Sequence, residues 1–114
     1  MSDQLTGDDV LAGRYHLEKT QAELSVDLDM VGITTINRWE NGHAAPSGAW
    51  SKIVSEYFVK KVGKDWKKTV RTPRFKVLLE VRALASEQGR RVKVSPTDDI
   101  KTLKELRRSL KGDS

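Results

Sequence analysis

The chain has 114 residues, 37% hydrophobic and 32% charged, which suits one folded domain, or a small domain with an extension, and excludes a disordered polymer. It has no cysteine, so disulfides and thiolate metal sites are excluded. The net charge of +5 is unevenly laid out: residues 1–29 hold seven acids (Asp3, Asp8, Asp9, Glu18, Glu23, Asp27, Asp29) against two bases (Arg14, Lys19), leaving +10 for the rest. A basic surface of that size attracts polyanions, nucleic acid above all, although a lysine-rich face is also often simply solvated. No apolar run approaches the roughly 18 residues of a membrane span, the acidic N-terminus is unlike a secretory leader, and a cytoplasmic protein is expected.

The first helix is predicted from Thr6 to about Leu17. Thr6 is the cap, Asp9 sits three residues on as in a capping box, and Leu5 and Val10 are placed for a hydrophobic staple. A second start signal follows at Thr20-Gln21-Ala22-Glu23, and that helix should end near Asp29, with Leu24 and Leu28 on one face and the small Ser25 beside them. After a short connection containing Gly32, residues 33–40 read as a third helix with Ile36 and Trp39 on its apolar stripe, stopped by Asn41-Gly42. Ser47 is the expected cap of a fourth helix, where Trp50, Ile53, Val54, Tyr57 and Phe58 recur at helical spacing up to about Val62.

Residues 59–76 change character, with eight bases against Asp65, and mark an expected boundary between residues 1–63 and 64–114. Trp66 is odd for a linker and is expected to pack on the bundle or a partner. Thr72-Pro73 has the form of a cap with proline at the first helical position, opening a helix that ends at Gly89. Residues 90–94 alternate basic and apolar and predict a short strand. Ser95-Pro96 is the predicted opening of a last helix, with Ile100, Leu103, Leu106 and Leu110 on one face. Asp98 and Asp99 would then serve its first turn, where acids complement the helix dipole.

Two short helices joined by a tight turn have the geometry of a helix-turn-helix, whose second helix lies in the major groove. Ser25 is small where that helix crosses the first. Ile36 and Trp39 grip the core, and Thr34, Thr35, Asn37 and Arg38 give a polar outer face. The runs Thr20-Gln21-Ala22-Glu23-Leu24-Ser25 and Ile36-Asn37-Arg38-Trp39-Glu40-Asn41-Gly42, followed by Pro46-Ser47, resemble the Cro/CI-type helix-turn-helix of phage repressors and xenobiotic-response-element regulators over about residues 10–58. The resemblance implies an all-α, lambda-repressor-like bundle of about five helices that often acts as a dimer. Gln21 and Asn41 would contact backbone phosphate, Ile33, Thr34 and Thr35 would meet bases, and Arg38 would reach a base or phosphate. Arg14 would pair structurally with Glu40. One feature departs from the pattern: the spacing from Gln21 to Ile36 is one residue longer, and the glycine expected in the turn falls on Asp29 or Met30.

Each assignment has a plainer alternative. An arginine such as Arg38 can pair with guanine, worth about 1–3 kcal/mol of discrimination, or touch phosphate, or lie on the surface. Ile33 either meets thymine methyls or packs. Trp39 is expected in the core, as are Trp50, Tyr57 and Phe58 in preference to stacking on nucleotides. Lys60, Lys64, Lys67, Lys68 and Arg71 either follow the phosphate backbone or form a solvated linker. His16 and His43 have no acidic or histidine neighbours at ligand spacing, so no metal site is expected. There is no phosphate loop, nucleophile elbow or supported carboxylate pair, so neither an enzyme nor a cofactor is expected.

The Leu103/Leu106/Leu110 stripe either pairs subunits or packs on the helix of residues 73–88. The reading preferred is a transcriptional regulator, of the repressor kind, binding double-stranded two-fold DNA as a homodimer through the helix of residues 33–41. The alternative is an antitoxin-like or other protein-binding module whose residues 73–114 hold a partner.

Overall fold

In a computed structural model, residues 4–112 are described, and Asp3 of the acidic run lies outside them. Among the described residues the chain is all-α, with α1 (Gly7–His16), α2 (Gln21–Asp27), α3 (Ile33–Glu40), α4 (Ala49–Lys61), α5 (Trp66–Thr69), α6 (Pro73–Glu87) and α7 (Ile100–Lys111). It divides into two compact units, α1 to α5 through Val70 and α6 to α7 from Arg71.

The first two helices start where local chemistry dictates. The Thr6 hydroxyl accepts from the Asp9 N–H at 3.2 Å while the Asp9 carboxylate accepts from the Thr6 N–H at 3.0 Å. Thr20 and Glu23 repeat the reciprocal pair at the head of α2. Each box satisfies two N–H groups that a helix start would otherwise leave open. Leu5 and Val10 are both buried across the first cap, as a hydrophobic staple requires.

The core of the first unit gathers Leu11, Leu24, Leu28, Ile36, Val54 and Phe58, all at 1% exposure or less. Trp66 is buried too, and its ring stacks on Phe58 with centroids 4.7 Å apart. The tryptophan that looked out of place in a basic linker therefore belongs to the bundle. With Val70 also buried, the first unit extends past the boundary expected at residue 63.

The cap expected at Ser47 is not used: Gly48 is the N-cap of α4, with no side-chain bond, and Ser47 contributes only its carbonyl, to the Trp50 N–H.

In the second unit Thr72 caps α6 by accepting from the Phe75 N–H at 3.1 Å, with Pro73 in the first turn. Phe75, Leu78 and Val81 form its buried stripe, and α7 packs on α6 with Leu103 and Leu110 buried. Of the two destinations open to the leucine stripe, the chain's own α6 is the one observed. Arg107 reaches Glu80 at 2.6 Å, and the Arg74 guanidinium donates to the carbonyls of Pro96 and Asp98 at 2.9 and 2.8 Å.

The predicted strand at 90–94 does not form; among the described residues there is none. Half-buried Val92 and Val94 do alternate with exposed Arg91 and Lys93, but no second segment is there to pair with, and a lone strand has no ladder. Nor does Ser95-Pro96 open the last helix. The Ser95 N–H donates to the Asp98 carboxylate in a separate turn, and α7 starts later, with Asp99 accepting from the Thr102 N–H at 2.9 Å. The bond to the Thr102 N–H holds the Asp99 carboxyl below the usual range.

Candidate nucleic-acid interface

α2 and α3 are joined by a turn whose left-handed positions are filled without glycine, Gly32 serving as the N-cap of α3. Asp29 and Met30 both adopt left-handed backbone, at φ 55° and 64°, and the glycine that the resemblance expects would fall on one or the other of them. The Met30 N–H reaches back to the Ser25 carbonyl at 2.8 Å, and the Val31 N–H to Leu28 at 3.2 Å. Ser25, expected only to be small, is buried and donates its hydroxyl to the Val31 carbonyl, closing the turn from inside. With Val31 drawn into the core, Met30 is turned outward. Met30 is 71% exposed, flanked by Val26 at 63% and Ile33 at 48%.

α3 is divided lengthwise. Ile36, Trp39 and Glu40 are buried, and Thr34, Asn37, Arg38 and Asn41 are exposed. Ile33 lies outside the buried stripe, and Thr35 is half-buried. The Asn41 side-chain amide donates to the Asn37 side-chain oxygen at 2.7 Å, so the two asparagines on the outer face support one another. The N-cap of α3 is Gly32, which offers no side-chain acceptor to the first N–H groups.

Arg14 and Glu40 form the expected pair, fork to fork: Nε to Oε2 at 2.6 Å and Nη2 to Oε1 at 2.7 Å, both side chains buried. The remaining arm of Arg14 donates to the Lys19 carbonyl at 3.0 Å, the joint between α1 and α2. Burial pulls the Arg14 pKa down, but hydrogen bonds and charge from Glu40, helped by Tyr15, outweigh it and hold the guanidinium above its ordinary value. A third member was not foreseen. The Gln21 side-chain amide donates to Glu40 Oε1 at 3.0 Å. A glutamine amide carries two N–H donors and an oxygen, so one bond to Glu40 fixes the group while leaving further capacity.

A second cluster has no local sequence signal at all. The Tyr57 hydroxyl donates to the Asp27 carboxylate at 2.6 Å, and Lys19 reaches the same oxygen at 2.6 Å. It ties the end of α2 to the middle of α4. The Lys19 and Tyr57 hydrogen bonds hold the Asp27 carboxyl below its usual range, and burial, with the bond to Asp27, pushes the Tyr57 hydroxyl well above its own.

Of the expected backbone-contact residues, Lys60, Lys64, Lys67 and Lys68 belong to the first unit and Arg71 to the second. Lys60 lies exposed near the end of α4, and Lys64, Lys67 and Lys68 rim a shallow groove with Ser55 and Val59. Arg71 begins the second unit, its guanidinium 5.3 Å from the Phe75 ring centroid. His16 and His43 are exposed, and among the described residues no group of three or more His, Asp or Glu could hold a metal ion. No helix among them is long and apolar enough to cross a membrane. No family model, curated protein or solved structure matches the chain.

Proposed function

We propose that this chain is a sequence-specific DNA-binding regulator that lays α3 in the major groove of double-stranded DNA. The observation that carries the reading is the division of α3. One side is locked into the bundle by Ile36, Trp39 and the Glu40 ion pair, while Thr34, Asn37, Arg38 and Asn41 project from the other. That is what a groove-reading helix needs, because base edges are told apart only by donors, acceptors and methyl contacts held at fixed positions. The capless start of α3 suits a phosphate, which helix N-terminal N–H groups bind readily. Gln21, steadied by Glu40, stands at the head of the neighbouring helix for a second phosphate.

Arg38 is the side chain assigned to base reading, with Thr34 and Ile33 placed for thymine methyls and Thr35, Asn37 and Asn41 around them. In the proposed complex two copies occupy a two-fold site and repress by occupying it. The competing reading, a partner protein held by residues 73–114, has less support, because Leu103 and Leu110 are already covered by α6.

Selection from a random duplex library, repeated with Arg38→Ala, tests the proposal. The parent should enrich a motif, and the variant should relax one position of it. No enrichment, or an identical motif from the variant, refutes base reading by Arg38. Sedimentation of the chain with the selected duplex then counts copies.

A further inference from the structure

The two units differ in charge more than the net +5 suggests. Residues 1–70 hold nine bases and ten acids, whereas residues 71–114 hold twelve bases and six acids. The unit carrying the proposed reading helix is thus close to neutral, and all of the excess positive charge lies in the other one.

In that second unit the charge is ordered. Lys101, Lys104, Arg108 and Lys111 are all exposed on α7. Their spacing of three, four and three residues places them within about 80° of arc on a helix of 3.6 residues per turn, along roughly 15 Å of its axis. The face turned toward α6 is the apolar one, with Leu103 and Leu110 buried. Anchors at Arg74, Gln88 and Arg107 hold that side down, so the basic row is presented on a fixed helix.

The row serves the helix only at its end, where Arg108 and Lys111 in the last turn complement the dipole. Neighbours three and four residues apart on a helix repel when they carry like charge, and Lys101–Lys104, Lys104–Arg108 and Arg108–Lys111 are all such pairs. Lys101 also lies in the first turn, where the helix dipole disfavours a cation. Among the described residues two acids lie near the row on this helix: Glu105, beside Lys101 and Arg108, and the capping Asp99, whose carboxylate feels the charge of Lys101. The repulsion between successive like charges along the row is relieved by an external anion.

A membrane surface fits poorly. The large apolar side chains exposed among the described residues, Val26, Met30, Ile33 and Val59, all lie in the first unit, and on α7 only Ile100 and Leu106 are even half-exposed, too little apolar surface to insert. A rigid line of single charges one helical turn apart suits a polymer with regular, closely spaced charge, and duplex DNA carries one per about 1.7 Å of axis. We propose that the exposed basic face of α7 is a second, sequence-independent binding site for the phosphate backbone of duplex DNA, separate from the reading face of α3.

The test uses the full chain and a duplex lacking any selected motif, with affinity measured against salt concentration. The variant carries Lys101→Gln, Lys104→Gln, Arg108→Gln and Lys111→Gln together, which leaves the buried face of α7 and its helix propensity intact. Helicity should match the parent, and the melting temperature should be no lower, since the repulsion along the row is removed. The slope of log affinity against log salt should fall by about three to four, at close to one for each phosphate no longer neutralised. Glu105→Gln should instead tighten binding severalfold, a gain that damage to the fold does not produce. An unchanged slope in the four-site variant overturns the proposal. So does equal competition by polyglutamate at matched charge, which would mean that any polyanion satisfies the face. The two readings fail separately. The four-site variant should enrich the parent's motif, whereas Arg38→Ala should alter the motif and move the slope by no more than about one.

Discussion

Arg14 and Glu40, 26 residues apart in sequence, meet in a two-pronged ion pair at 2.6 and 2.7 Å with both side chains buried, joining α1 to the last turn of α3. Breaking one side of such a pair strands a charge, which costs about 3–5 kcal/mol, whereas replacing both partners by apolar residues of similar volume is often neutral. Arg14→Met and Glu40→Leu should each lower stability by that order, and the double variant by clearly less than their sum. Urea unfolding of the four proteins measures this, and additive losses would remove the pair from any account of the fold.

Two glycines are required by close packing. A Cβ on Gly7 would lie 1.6 Å from the Trp39 carbonyl oxygen, and one on Gly13 would lie 2.5 Å from the Phe58 ring. The first clash is with backbone and the second with a side chain that can tilt. Gly13→Ala should therefore cost about 1–3 kcal/mol, the usual range for overpacking, and Gly7→Ala more. Thermal melts of both variants test the order, and a Gly7→Ala protein as stable as Gly13→Ala would contradict the close approach of α1 to α3.

Met30 holds a left-handed backbone that costs an L-residue about 1–2 kcal/mol, yet it is 71% exposed and so gains little from packing. Met30→Gly should raise the stability of the isolated protein by about 1 kcal/mol. If duplex affinity falls in the same variant, the side chain is retained for an interaction outside the fold. A lower melting temperature would show that Met30 packs after all.

The Asp27–Tyr57 bond gives stability a dependence on pH at both ends. The Asp27 carboxyl is lowered in the folded chain, so its contribution is complete above its unfolded value near 3.8 and is lost as pH falls through the lower folded value. The Tyr57 hydroxyl is raised, so its contribution is complete below its ordinary value of 10.0 and is lost as pH climbs beyond it. Tyr57→Phe should cost about 0.5–1.5 kcal/mol at neutral pH. It should also flatten the alkaline loss and let the Asp27 carboxyl rise toward normal, read by NMR titration. An Asp27 titration identical in the two proteins would mean that the hydroxyl does not reach the carboxylate in solution.

What could be read from the sequence was what the chain does over three or four residues. Thr6 with Asp9, Thr20 with Glu23 and Thr72 before Pro73 each settle a helix start through bonds to their own backbone. The misses have the same local origin, where two candidates compete. Ser95 could have capped α7, but Asp98 took its N–H into a turn and Asp99 was left to start the helix. The strand at 90–94 failed because alternation gives a segment two faces without providing it a partner. The Arg14–Glu40 pair came from resemblance and not from spacing. The Tyr57–Asp27 bond, 30 residues apart, and the bond from Gln21 to Glu40 have no periodicity to betray them.

The hydrogen bond from Gln21 to Glu40 links the interior of the bundle to its proposed outer contact. A side chain already held in place loses little rotational freedom on docking, a cost otherwise near 0.5–1.5 kcal/mol. Under the proposed function, a genetic screen for lost operator binding would therefore return Arg14 and Glu40 alongside Arg38. Only melting temperature would separate residues that touch DNA from those that steady the residue that does.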